Sequence, residues 1–256
     1  MRGRETSHVG RQALRAAVRA AVRAAVRAAV RAAVRAAVRA AFASAALASA
    51  LGAQDSTGAL LDRAVREYAS IRTVRAPFEQ TLTNPNTNST RTAKGEFFQR
   101  GRSRFALRFS DPAGDAIISD GEALWVYLPS SAKGQVLKMP REAGAGLDFL
   151  TQLLTAPREH YAVSVLGDAT VGARATAAFA LTPKGATAPF TRATLWVGRA
   201  DAFLWQVETV EPSGLVRRVR FTAIRTNVTL PRDALTFRVP EGVRVIDQVA
   251  LLGGKP

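Results

Sequence analysis

Side chains able to do covalent chemistry are scarce in this chain, and their spacing suits turns better than catalysis. The histidines are His8 and His160. His160 stands alone, with no nearby Ser–His–Asp arrangement and too few companions for a histidine-rich metal site, so it reads as a surface or strand-edge residue. Asp115, Asp120 and Glu122 lie close enough in sequence to be weighed as a carboxylate pair for hydrolysis. Gly114 and Gly121 sit beside the two aspartates, however, and an Asp next to Gly ordinarily hydrogen-bonds the backbone of a turn. The sequence contains no cysteine, which removes a thiol nucleophile, a thiolate metal site, a disulfide framework and a lipid anchor on an N-terminal Cys. Nor does it contain a Gly-x-Ser-x-Gly elbow, a phosphate-binding loop or a dinucleotide fingerprint. These absences point to a protein that binds rather than one that breaks bonds, with no cofactor and no metal.

Charge is unevenly spread. Residues 1–53 hold ten arginines against a single acid, Glu5, and so carry +9 of the formal +16. The remaining +7 favours anionic partners such as phospholipid headgroups or an acidic protein surface. Basic residues after position 53 are scattered, several at alternate strand positions such as Arg102, Arg104 and Arg108. No zinc-finger spacing, helix-turn-helix pattern or RNA-binding motif accompanies them, so nucleic acid is not the expected partner.

The N-terminal 53 residues are not expected to join the folded unit. From Leu14 to Phe42 an Arg-Ala-Ala-Val repeat places Arg15, Arg19, Arg23, Arg27, Arg31, Arg35 and Arg39 four apart. Four residues advance a helix by about 400°, so each apolar row drifts about 40° per repeat and makes no fixed stripe. Such a run reads as a basic arm for anionic membranes or as the translation of a short DNA repeat upstream of the true start. Next, Arg35 and Arg39 precede an apolar, alanine-rich run from Ala40 to Ala53. A basic flank, a short apolar run and small residues make a removable export signal, and cleavage after Ala53 would leave Gln54 first.

The elements that must position any site lie in residues 54–256, read as one domain. Leu60, Leu61, Ala64, Val65 and Tyr68 recur at helical spacing and predict a helix over about 57–71. Beyond Pro77 the pattern turns to strands separated by turn clusters such as Asp111-Pro112-Ala113-Gly114 and Glu211-Pro212-Ser213-Gly214. Phe105, Leu107 and Phe109 alternate with Arg104, Ala106 and Arg108, as a half-buried strand requires. A short, very apolar helix carrying Leu147, Phe149, Leu150, Leu153 and Leu154 is expected between Gly146 and Pro157. Many short strands with only two helices fit a mainly β (α+β) fold built on a single strongly curved antiparallel sheet.

A helix with Tyr68 and Ile71 leads into Ala76-Pro77-Phe78-Glu79-Gln80, and a hairpin spans Gly95–Phe109. Ser119-Asp120-Gly121 then precedes Leu124-Trp125-Val126-Tyr127, and Phe237-Arg238-Val239-Pro240-Glu241-Gly242-Val243 follows near the C-terminus. This order of motifs resembles the LolA family of periplasmic lipoprotein carriers. The resemblance implies an incomplete β-barrel with helices covering its open mouth over an apolar cavity. It implies a periplasmic, monomeric, non-catalytic carrier that takes triacylated lipoproteins from an inner-membrane ABC transporter to an outer-membrane acceptor. Candidate cavity residues are Phe97, Phe105, Leu107, Phe109, Trp125, Trp196, Phe203, Trp205 and Phe221, with Leu147, Phe149, Leu150, Leu153 and Leu154 as the lid. In the family an arginine after the second strand latches the lid through backbone carbonyls, and the matching position here is Arg100. The same aromatics could instead fill an ordinary dry core. A carrier of another lipid and a sensory or interaction module on the same fold are the alternatives.

Overall fold

In a computed structural model, residues 57–144, 148–185 and 188–248 are described. The expectations for residues 1–53, and for Leu147, fall outside them. Ser56–Pro256 is a compact unit of its own.

Helix α1 (57–70) buries Leu60, Leu61, Ala64 and Tyr68 and exposes Arg66, Glu67 and Ser70, the amphipathic pattern that its spacing predicts. Six strands follow, β1 (Thr73–Asn84), β2 (Ser89–Arg100), β3 (Arg104–Asp111), β4 (Ala113–Ser119), β5 (Ala123–Tyr127) and β6 (Gln135–Pro140), each antiparallel to the one before. A 3-10 turn at Arg141–Gly144 precedes two short helices, α2 (Phe149–Leu154) and α3 (Pro157–His160). The chain then returns through β7 (Tyr161–Val171), β8 (Arg174–Pro183), β9 (Arg192–Gly198), β10 (Leu204–Val210) and β11 (Val216–Phe221). Two short strands complete the set, β12 (Arg225–Thr226) beside β1 and β13 (Arg244–Asp247) beside β6.

The result is one curled sheet in the order β13-β6-β5-β4-β3-β2-β1-β11-β10-β9-β8-β7. Its two end strands do not pair with each other, so the barrel stays open. All pairings are antiparallel except β13 with β6. That exception follows from connectivity, because β13 arrives by a long crossover from β12 and not by a hairpin.

Each face of the sheet has its own cover. The inner face carries Val74, Ala76, Phe78, Phe97, Phe105, Leu107, Leu124, Phe179, Leu195, Val219 and Phe221, packed with the buried residues of α1 and α2. On the outer face, Phe98, Ala106, Ala116 and Ile118 are buried under Leu230, Ala234 and Leu235 of the segment that follows β12. Arg108 fastens that segment, its Nε donating to the Ala234 carbonyl at 3.0 Å and its Nη2 to those of Asp233 and Thr236 at 2.6 and 2.8 Å. Where β2 bulges against β3, a Cβ at position 95 would collide with the Arg108 carbonyl, which is why Gly95 opens this hairpin.

Candidate binding site beneath the helices

The floor of the site is set by strand alternation. In β2, Phe97 and Gln99 point inward, while Phe98 and Arg100 point outward. The Phe97 ring centroid lies 5.6 Å from that of Phe149 on α2 and 5.8 Å from that of Phe221 on β11, and Phe149 and Phe221 are 5.9 Å apart. Three rings therefore join the second helix to two strands. Leu150, Leu153 and Leu154 are buried with Phe149, so four of the six residues of α2 face the core.

Between α1, α2 and the sheet a cavity remains, lined by Ala64, Tyr68, Ile71, Leu150, Leu154, Phe203 and Phe221 among others. Its volume is about 30 Å³. Sites that hold a drug-sized ligand run to roughly 300–1,000 Å³. The interior is thus closed, filled by the side chains of its own cover, and any chain-like guest must displace α2 or α1.

Besides this apolar packing, a small buried polar cluster ties the cover to the sheet. Gln99 is only 1% exposed. Its Nε2 donates to the Tyr68 hydroxyl of α1 at 2.8 Å, and to Asp148 Oδ1 and Thr151 Oγ1 of α2, both at 3.1 Å. Tyr68 and Thr151 hydroxyls lie 2.9 Å apart. Asp148 caps α2 by accepting from the Thr151 backbone N–H at 3.2 Å. Burial pushes the Asp148 carboxyl up to about 6, against the Thr151 hydrogen bonds that lower it. Burial, with the Asp148 charge adding to it, pushes the Tyr68 hydroxyl up to about 12. Gln99 Oε1 is buried without a partner among the described residues. At the outside, Arg158 of α3 binds Asp62 of α1, Nε to Oδ1 at 3.0 Å.

Of the expected cavity residues, Phe97, Phe105, Leu107, Trp205 and Phe221 are buried in the inner core, and Phe109 and Phe203 pack against it. Phe203 and Phe221 line the cavity itself. Trp125 is not there. Leu124 and Val126 take the inner face of β5, and Trp125 stacks outside on Phe237 at 5.3 Å, its Nε1 donating to Asp120 Oδ2 at 2.8 Å. Trp196 packs only partly against the core and alternates out of phase with Leu195 and Val197, level with Ala178 and Gln206. The Trp205 indole lies under the Arg174 guanidinium, 3.7 Å from ring centroid to carbon, away from the cavity lining. Arg100 does not reach α2. It is exposed, with no hydrogen bond or ion pair among the described residues, because the strand turns its neighbour Gln99 inward instead.

Gln99 and Asp148 were missed by the sequence reading, yet each left a signal. Gln99 sits two residues after Phe97 on an apolar face, and Asp148 stands three before Thr151 at the start of an apolar helix. Two of the carboxylates weighed for hydrolysis are occupied by backbone. Asp120 accepts from the N–H groups of Glu122 and Ala123, both at 2.9 Å, and Asp115 from that of Ser130 at 3.0 Å. No helix of the described residues is long and apolar enough to cross a membrane.

An unclosed, curled sheet with helices packed over an apolar interior defines the class, a half-barrel shell with a helical cover. The chain belongs to the family described as outer membrane lipoprotein carrier protein LolA, whose model matches residues 69–238, from the end of α1 through the segment that covers the outer face. An outer-membrane lipoprotein carrier protein of Methylibium petroleiphilum is 26% identical over 180 residues, 70% of this chain and 85% of its own length. Another, from Erwinia tasmaniensis, is 28% identical over 200 residues, 76% and 89% of the two chains. A solved LolA superfamily protein of Nitrosomonas europaea overlays with a TM-score of 0.39 at 14% identity, covering 71% of this chain and 97% of that one.

Proposed function

We propose that this protein carries outer-membrane lipoproteins through the periplasm by sheltering their acyl chains under α1 and α2. The observation that carries the reading is the closed apolar interior, sealed by two amphipathic helices that a few hydrogen bonds hold down. Each acyl methylene removed from water is worth about 0.8 kcal/mol, so even part of one chain can drive the cover off its seat. The shell hydrolyses nothing. Cargo enters from an inner-membrane ABC transporter and leaves to an outer-membrane acceptor, with one carrier monomer per lipoprotein. Residues 1–53 are the repeat and export signal, and residues 54–256 are the working domain. Gln99 takes the latch role first expected of Arg100.

Spheroplasts making a radiolabelled triacylated lipoprotein test this. Adding the Ser56–Pro256 unit should bring label into the soluble fraction as a one-to-one complex. If the label stays with the membranes of a transporter-competent strain, the protein serves another lipid or a sensory role.

A further inference from the structure

Arginines on this sheet are neutralised in one place and bare in another. On the outer face, Arg75 binds Glu96 at 2.6 Å, Arg218 binds Glu208 at 2.6 Å, and Arg220 binds Glu79 at 2.5 Å. At the end of the sheet beside the cover, Arg72, Arg100, Arg102 and Arg225 are all exposed, and none has a hydrogen bond or ion pair from its guanidinium among the described residues. The fold gathers these four. Arg100 is in register with Thr73, the Gly101 N–H donates to the Arg72 carbonyl at 2.9 Å, and Arg225–Thr226 pairs with Val74–Arg75.

Two grooves flank this rim. One, of about 510 Å³, is lined by Arg72, Thr73, Arg100, Asn227 and Val228–Leu230, with no carboxylate in its wall. The other, of about 330 Å³, runs from Arg102 to Asp148, Thr151 and Gln152, so it reaches the start of the cover helix α2. Of the nearby acids, Glu96 is committed to Arg75 and Asp148 to the buried cluster, while Glu142, in the wall of the second groove, faces Arg141 at 3.6 Å.

We infer that this rim docks on an anionic phospholipid surface, its guanidiniums binding lipid phosphates and bringing the mouth of the shell to the bilayer. It rests on the carrier reading only for its purpose, since a shuttle must open where cargo leaves a membrane. A planar guanidinium offers a fork of donors that fits a phosphate's oxygens in pairs. A protein partner fits the rim less well. Protein interfaces centre on buried aromatic or aliphatic anchors, and the exposed large apolar residues here, Val165, Leu166, Val239 and Val245, all lie outside the rim.

The test is sedimentation of the Ser56–Pro256 unit with vesicles, since residues 1–53 bring ten arginines of their own. Phosphatidylcholine vesicles containing about a third phosphatidylglycerol should bind it, and pure phosphatidylcholine should not. Each arginine near such a surface is worth about fivefold, so Arg72→Gln with Arg100→Gln should weaken binding by about 25-fold. The control is Arg91→Gln with Arg192→Gln. These residues are also exposed, with no side-chain hydrogen bond or ion pair among the described residues, and Arg91 lies nine residues back along β2, about 30 Å away. That pair should change binding by no more than about twofold beyond a Debye length. Absence of binding to the anionic vesicles, or equal loss in both double variants, overturns the rim. The assay contains no lipoprotein. Failure here leaves the carrier reading standing, and vesicle binding by a protein that releases no lipoprotein keeps the rim and removes the carrier.

Discussion

Gln99 links three elements through one amide, and its replacement has a calculable effect. In Gln99→Leu the inner face stays apolar and filled, but Tyr68, Asp148 and Thr151 lose a donor. The closed state should lose about 1–3 kcal/mol, seen as faster amide exchange in α2 and greater uptake of a hydrophobic fluorescent probe. Arg100→Leu should leave both unchanged, because that side chain is exposed and unpartnered. Asp148 adds a pH dependence whose sign can be worked out. Its folded value is raised to about 6 from an ordinary 3.8, so the closed form binds the proton more tightly than the unfolded chain. The stabilisation is complete below about pH 4 and is lost as pH rises through about 6, up to about 3 kcal/mol in all. Melting temperature should therefore rise from pH 7 to pH 5, and Asp148→Asn should be more stable than the parent at pH 7 and lack most of that rise. A parent that loses stability over this interval while the variant does not would refute the assignment.

At the scale of elements, alternation was the legible part of the sequence and its phase was where reading slipped. Phe105, Leu107 and Phe109 gave a clean inner face. Trp125 and Trp196, cavity candidates by the family resemblance, lie out of the phase set by Leu124 and Val126 and by Leu195 and Val197. That phase places Trp125 under a second cover, the segment from Val228 to Phe237, which has little regular structure and meets β2–β5 from more than a hundred residues away. No local pattern announces such a contact. Its fastening does make a prediction. Arg108→Ala removes three hydrogen bonds to carbonyls of residues 233, 234 and 236. The loss should be about 1–3 kcal/mol in urea denaturation, with proteolysis appearing first within 227–240 and α2 protected as before. The lid helix was legible in place and character, its stop before Pro157 included, but the separate turn α3 that Pro157 begins was not. The left-handed Ala156 that separates them leaves no mark in a sequence of common residues.

For the whole molecule the question is how a shell with almost no empty interior can be a carrier. Its sheet is open between β7 and β13, its inner face is apolar from β5 round to β8, and its cover is two helices whose packing is interrupted by one polar cluster. Such a cover can leave as a unit while the sheet, held by its own ladders, stays intact. Acyl chains are proposed to enter by replacing α2 against Phe97 and Phe221. Hydrogen exchange of the Ser56–Pro256 unit, with and without a synthetic triacylated lipopeptide at one-to-one ratio, tests it most directly. Amides of residues 149–154 should lose protection on binding while those of β2, β3 and β11 keep or gain it. Stoichiometric binding with α2 as protected as in the free protein would contradict it and place the acyl chains elsewhere.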